Sequence, residues 1–281
     1  MALADKVSDG NNAPARKVRI AGFDFDNLTE QEVVDHIVNE SVAGRGGWVL
    51  TPNIDFCRKA SRDPGLLAQL RESSLTVVDG MPLLWAAKAN GTPVVARVTG
   101  SSLIFTVSEA AATTGRSVYL LGGAQGIPEL AGQNLANRYP GLKVAGSDAP
   151  PFAFEESVEA VEQIKAKVGG AGPDIVYVGL GFPKQEKLII ELRKVHPSAW
   201  YIGCGAAIPI VAGAVPRAPE WMQHAGLEWL HRLLKEPRRL FRRYIIEDLP
   251  FAIALLIKIK LGRLCNLSRV KFRTASRTRP C

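Results

Sequence analysis

Asp174-Ile175-Val176-Tyr177-Val178-Gly179-Leu180-Gly181-Phe182-Pro183 is the stretch that decides the fold. Its β-branched run through Val178 reads as a strand, and a glycine turn follows at once. Pro183 then stands where prolines open helices, because the N–H it lacks has no intrahelical partner there. The helix is expected to run to about His196. The same unit recurs along the chain. Residues 199–202 form a strand ending in Gly203-Cys204-Gly205-Ala206-Ala207, and residues 117–121 form one running into Gly122-Gly123-Ala124-Gln125-Gly126 before a helix that ends near Arg138. Upstream, strands are expected at 17–23, 48–50 and 75–78, with another at 142–145. Helices fall between them. Thr29-Glu30-Gln31-Glu32 is a capping box, Asp63-Pro64-Gly65 splits two short helices (54–61 and 64–72), and Asn90-Gly91 stops one begun at Met81. Ser101 or Ser102 caps a helix through Thr113, residues 155–168 form another, and residues 220–234 read as one amphipathic helix. Strands alternating with helices at this spacing predict an α/β, Rossmann-like fold with a mostly parallel, doubly wound sheet.

Composition sets the class around that fold. The 281 residues are 47% hydrophobic and 22% charged, which is ample core material for one large domain with an appendage. The four cysteines (Cys57, Cys204, Cys265, Cys281) show no CxxC pairing and no histidine at ligand spacing. That argues against a disulfide framework or a zinc site, and for a reducing cytoplasm. Residues 1–16 are polar with no apolar h-region and read as a disordered leader. No stretch reaches the ~18 apolar residues of a spanning helix. The net charge of +8 is uneven: from His231 onward it is +11, and everything before amounts to −3. The division expected is an α/β catalytic domain at 17–216, a helical, basic membrane-association appendage at 217–263 and a basic tail at 264–281. In the appendage, apolar residues 249–259 are bracketed by Lys258, Lys260 and Arg263, which suits a helix lying at an anionic membrane surface, the alternative being a merely solvated charged face. Nucleic-acid binding is disfavoured, because only Phe241, Tyr244 and Phe272 are available to stack.

Polar residues gather where strands end, which is where open parallel sheets bind ligands. Thr51-Pro52-Asn53, Asp79-Gly80 and the cluster Arg97-Val98-Thr99-Gly100-Ser101-Ser102 suit a polar, phosphorylated substrate. Asp79 has two readings: a base of raised pKa, or a cap on the next helix. Arg97 is either a surface charge or a bidentate diphosphate clamp. Thr51 and Asn53 either face a ligand or make a turn with Pro52, and Gln185 with Glu186 either faces the site or satisfies first-turn amides. The loops holding Gly122, Gly179, Gly181, Gly203 and Gly205 lack the dinucleotide fingerprint and the Walker A pattern. Taken singly, each is either a tight strand-to-helix turn or an anion site; as a set they favour an anion at exposed backbone N–H groups. No Ser/His/Asp or Cys/His arrangement and no Asp-x-Asp stands out, so neither metal nor cofactor is expected.

These clusters, in this order, resemble the WecG/TagA/CpsF family of bacterial glycosyltransferases. The resemblance rests on Thr51-Pro52-Asn53, Asp79-Gly80, Arg97-Val98-Thr99-Gly100-Ser101, Leu120-Leu121-Gly122-Gly123, Gly181-Phe182-Pro183-Lys184-Gln185-Glu186 and Gly203-Cys204-Gly205. It continues through Arg217-Ala218-Pro219-Glu220-Trp221, the run Gly226 to Arg232, and Glu236-Pro237-Arg238-Arg239. It implies an inverting, metal-independent enzyme moving a hexose or N-acetylhexosamine (or its uronate) from a UDP-sugar to a polyprenyl-diphosphate-linked sugar in surface-polysaccharide synthesis. The enzyme would sit peripherally on the cytoplasmic face of the membrane, and a homo-oligomer is compatible with it. The resemblance further implies Asp79 as base, Thr51, Asn53, Arg97 and Gln185 lining the pocket, and Arg232, Arg239 and Arg242 at the diphosphate and the membrane. Ser102 and Ile208-Pro209-Ile210 depart from the family pattern, where many members have Asp and Phe-Asp-Phe. The alternative is a membrane-tethered, non-catalytic nucleotide-sugar-binding module.

Overall fold

The computed structural model describes residues 17–261; the expected leader at 1–16 and the tail at 264–281 lie outside them. Six strands form one parallel sheet: β3 (Gly47–Leu50), β4 (Leu75–Thr76), β5 (Ser117–Gly122), β6 (Lys143–Asp148), β7 (Ile175–Gly179) and β8 (Trp200–Gly203), in the order β4-β3-β8-β7-β5-β6. The parallel α/β expectation holds. Apolar runs without alternation fit this burial on both faces. Trp48, Leu50, Tyr119, Leu121, Val176, Val178 and Tyr201 enter one core layer. Their neighbours Val49, Val118, Leu120, Ile175, Tyr177, Trp200 and Ile202 enter the other. The helices of the α/β part are α1 (Glu30–Val42), α2 (Ile54–Ala60), α3 (Pro64–Leu70), α4 (Met81–Asn90), α5 (Gly100–Thr114), α6 (Ile127–Arg138), α7 (Val158–Ala171), α8 (Lys184–Val195) and α9 (Ala207–Val211).

Three local readings change. The stretch expected as a single strand at 17–23 is a hairpin of β1 (Lys17–Ile20) and β2 (Phe23–Asp26). Ala21 and Gly22 both have positive φ (50° and 89°), the conformation that a two-residue primed turn requires. Helix α5 is capped by Thr99, whose hydroxyl accepts from Ser102 N at 3.0 Å, and not by Ser101 or Ser102. The single helix expected at 220–234 is two, α10 (Glu220–His224) and α11 (Glu228–Lys235). Gly226 breaks it at φ +71°, and a Cβ there would collide with the Met81 side chain.

Beyond α11 come α12 (Pro237–Phe241), a π-helical segment (Arg242–Asp248) and helical residues 249–261. One stripe of this arm rests on the α/β part: Leu240 is buried, and Phe251, Leu255, Leu256 and Ile259 pack against the core. The opposite stripe is apolar and exposed, comprising Ile246, Leu249, Ile253, Ile257 and Leu261. Among the described residues, no helix is long and apolar enough to cross a membrane.

Candidate active site

The carboxyl ends of β3, β4, β7 and β8 meet under the C-terminal arm, and a cavity of about 370 Å³ lies between them. Into it the sheet delivers Thr51, Asn53, Asp79, Gly179, Gly181, Gln185, Gly203 and Gly205; the arm delivers Arg232, Arg243 and Tyr244. The loops reach it by close backbone contact. A Cβ on Gly100 would lie 2.7 Å from both Gly203 O and Cys204 Cα, so the start of α5 rests on the end of β8 and Ser101 enters the wall.

Asp79 is the lining residue that follows β4. Its N–H is spent on Pro52 O at 3.0 Å, which fixes the β4 end against the loop after β3. Gly80, at φ +111°, is the N-cap of α4, and no side chain caps that helix. Of the two readings of Asp79, the cap is therefore not the one realised. Its partly buried carboxylate has no hydrogen-bond partner among the described residues. Desolvation by the pocket walls pushes its pKa up to about 7, against the opposing pull of Arg97 and Arg232, while Glu228 adds to the rise. A carboxylate without a partner, near neutral pKa and open to a cavity, is equipped to take a proton.

The other predicted residues divide. Thr51 donates to Gly203 O at 3.1 Å, tying β3 to β8. Asn53 lines the cavity and also caps α2 through Phe56 N at 3.0 Å. Gln185 accepts from Gly181 N and Gly205 N at 3.2 and 3.3 Å. Gly122 stands one strand aside, where a Cβ would lie 2.5 Å from Gly179 O, outside the lining. Arg97 also stands outside it. Its guanidinium donates to Glu228 Oε2 at 3.1 Å and Gln223 O at 2.9 Å, fastening the α10–α11 turn over Asp79. In the arm, Arg232 faces the cavity, whereas Arg242 is 81% exposed beside Glu247; the side chain of Arg239 lies outside the described residues. Of the two departures, Pro209 lines the cavity, but Ser102 donates to Glu30 Oε2 at 2.7 Å, at the α1–α5 contact.

Sequence reasoning missed a buried ionic cluster beside the cavity. Arg58, on α2, is 4% exposed and donates to Asp55 at 2.6 Å, Glu247 at 2.8 Å and Asp248 at 2.9 Å. Asp55 also receives Lys59 at 3.0 Å and Arg243 at 2.9 Å. The wide π turn brings Arg243, Tyr244, Glu247 and Asp248 together on the face that meets α2. Three charged residues within the short run from Asp55 to Lys59, on a helix otherwise built from Phe56 and Cys57, were the available signal. Glu186 reads from sequence either as a first-turn acid or as a residue of the site. It is 1% exposed beside Gln185, and burial pushes its pKa up to about 7.

Residues 18–264 match the Glycosyl transferase WecG/TagA/CpsF family. The chain belongs to that family. The chain is also similar to an N-acetylglucosaminyldiphosphoundecaprenol N-acetyl-beta-D-mannosaminyltransferase of Staphylococcus aureus strain MW2. It is 30% identical over 242 residues, which cover 85% of this chain and 92% of the relative. The counterpart in strain MRSA252 is 29% identical over 243 residues, with the same coverage. The family match spans both the sheet and the arm, so the cavity between them lies wholly within it.

Proposed function

We propose that the protein is an inverting glycosyltransferase that moves a sugar from a UDP-sugar to a polyprenyl-diphosphate-linked acceptor in surface-polysaccharide synthesis. The observation that carries this reading is Asp79, a carboxylate with no hydrogen-bond partner among the described residues and a pKa raised to about 7, in a cavity that Arg232 and Arg243 also line. Asp79 takes the proton of the acceptor hydroxyl as that oxygen attacks the anomeric carbon. The C–O bond to the nucleotide diphosphate breaks on the opposite face, and the electron pair leaves with UDP. Arg232 and Arg243 offset the charge growing on the departing diphosphate, the task that donors aimed at developing charge perform. Thr51 and Asn53 orient sugar hydroxyls, and the Gly179–Gly181 and Gly203–Gly205 loops meet the nucleotide. Phe182 and Tyr244 offer apolar faces to a pyrimidine or sugar ring. Metal independence is part of the proposal, with the two arginines in the place of an ion.

The exposed apolar stripe from Ile246 to Leu261, with Lys258, Lys260 and Arg242 around it, supports a peripheral seat on the anionic inner face of the cell membrane. There the lipid acceptor meets the pocket at high effective concentration. The mannosaminyltransferase activity of the relatives makes UDP-N-acetylmannosamine the first donor to try. Incubation with a panel of labelled UDP-sugars and a GlcNAc-diphosphate-polyprenol tests the reading. Transfer from one donor, unaffected by a chelator, is expected. No transfer from any donor, with UDP-sugar binding intact, would establish the non-catalytic binding module instead.

A further inference from the structure

Gln185 and Glu186 stand side by side in the first turn of α8, both buried. Two backbone N–H groups, from Gly181 and Gly205, converge on one atom of the Gln185 amide. A backbone N–H only donates, so that atom is the oxygen, and the orientation of the amide is settled by its partners. Nε2 therefore faces Glu186 Oε1 and donates to it at 2.7 Å. One amide thus straps the loop after β7 to the loop after β8. Its oxygen has used both lone pairs, and one of its two N–H bonds is committed to Glu186. The second N–H has no partner among the described residues, and Gln185 lines the cavity.

We infer that Glu186 is a positioning residue: it holds the Gln185 amide from behind, so that Gln185 closes both glycine loops and meets the substrate as a hydrogen-bond donor only. The packing agrees. A Cβ on Gly203 would lie 2.7 Å from Gln185 Nε2 and 3.5 Å from Glu186 Oε1, so the amide is seated against bare backbone and has no room for a side chain beside it. Glu186 Oε2 has no hydrogen-bond partner among the described residues. Among the described residues, the bond to Gln185 is the hydrogen bond this carboxyl makes to another side chain. The ligand atom that matches the free N–H is an acceptor oxygen of the nucleotide sugar, a phosphoryl or a carbonyl oxygen. This inference rests on the transferase reading of the same pocket.

The test uses the full chain with Glu186→Leu, Glu186→Gln and Gln185→Glu. Hydrogen–deuterium exchange is read in the segments holding Gly181 and Gly205, alongside kcat and KM for the UDP-sugar. Leu cannot accept, so Glu186→Leu is expected to speed exchange in both loops and lower kcat/KM by about tenfold, the scale of one lost buried hydrogen bond. Gln presents the same acceptor oxygen, so Glu186→Gln recovers both readouts to within about threefold of wild type. Gln185→Glu keeps the acceptor for the loops and removes the donor, and raises KM about tenfold. Unchanged exchange in Glu186→Leu, or equal damage in Glu186→Gln, overturns the positioning role; an unchanged KM in Gln185→Glu overturns the donor role. Should Glu186→Leu not fold, Glu186→Gln against Gln185→Glu still decides. A wild type that transfers no sugar removes the transferase reading and the donor role with it, while the exchange arm continues to judge the strap.

Discussion

Asp55 and Asp79 border the same cavity, and the molecule treats them in opposite ways. Asp55 is gripped by Arg58, Lys59 and Arg243, each within 3.0 Å. Asp79 is given no hydrogen-bond donor among the described residues and is left to desolvation, with cations near enough to be felt but not to bond. A carboxylate whose oxygens are held by cations has no open lone pair to turn towards a substrate proton. One denied such partners keeps its basicity. The first holds the arm to the α/β part; the second is free to react. Sequence alone shows two aspartates after two strands, and only the distribution of cations tells them apart.

The sharpest way to break that contrast is Asp79→Asn, which keeps the shape and removes the base. Turnover is expected to fall by roughly 10³-fold, within the range for a positioned general base, with UDP affinity nearly unchanged in calorimetry. Near-normal turnover would end the assignment. The matching change on the other side is Arg58→Met. It removes the hydrogen-bonded cation of buried Asp248 and leaves Asp55 to Lys59 and Arg243 alone, and should lower unfolding stability by about 3–5 kcal/mol in denaturant titration, whereas Asp79→Asn should not destabilise.

The cations of the arm come next. Arg232→Ala and Arg243→Ala are each expected to weaken UDP binding about tenfold while uridine binding stays put, since only UDP carries the diphosphate. Equal loss for both ligands would show damage to the fold instead. The pH profile follows in size. Activity should fall as pH drops through about 7, because protonated Asp79 cannot act as base. The stability effect has the opposite sign. A carboxyl whose folded pKa is raised favours folding below its unfolded pKa, and that contribution is lost as pH rises from about 4 towards 7. Asp79→Asn should therefore melt higher than wild type at pH 8, with the gap closing near pH 4. The smallest effect is expected at Arg242→Ala: as an exposed pair with Glu247 it is worth under about 1 kcal/mol, leaving UDP affinity within twofold while weakening binding to anionic vesicles.

Much of the fold was legible because it rests on local chemistry. Strand runs, glycine turns and the Thr29 capping box name their own elements, and alternation of strand with helix gives the parallel sheet. The primed turn at Ala21-Gly22 was not legible, since alanine rarely adopts positive φ and nothing in the sequence demands it there. Thr51, Asn53, Asp79 and Gln185 were legible because strand ends converge in any sheet of this class. Arg97 was expected to line the pocket and stands outside the lining, because its partners, Gln223 and Glu228, belong to a segment more than a hundred positions away and hold it there. Arg58 illustrates the limit: its partners Glu247 and Asp248 are separated from it by 189 and 190 positions, and no periodicity carries information over that span.

The position of β8 between β3 and β7 has a consequence during synthesis. It is the last strand made, yet it fills the middle of the sheet. Until residue 203 is available, the emerging chain holds two partial sheets, β3 with β4 and β5 to β7, each with an unpaired parallel edge waiting for the same strand. Thr51 and Asp79 sit on one side of that gap, Gln185 on the other. The pocket is therefore absent from a chain that ends before β8 and forms at the seam where β8 enters. Folding of such long-range parallel pairings is slow and leaves edges open to other chains. A truncation before Trp200 should yield an aggregating fragment, not a weak enzyme.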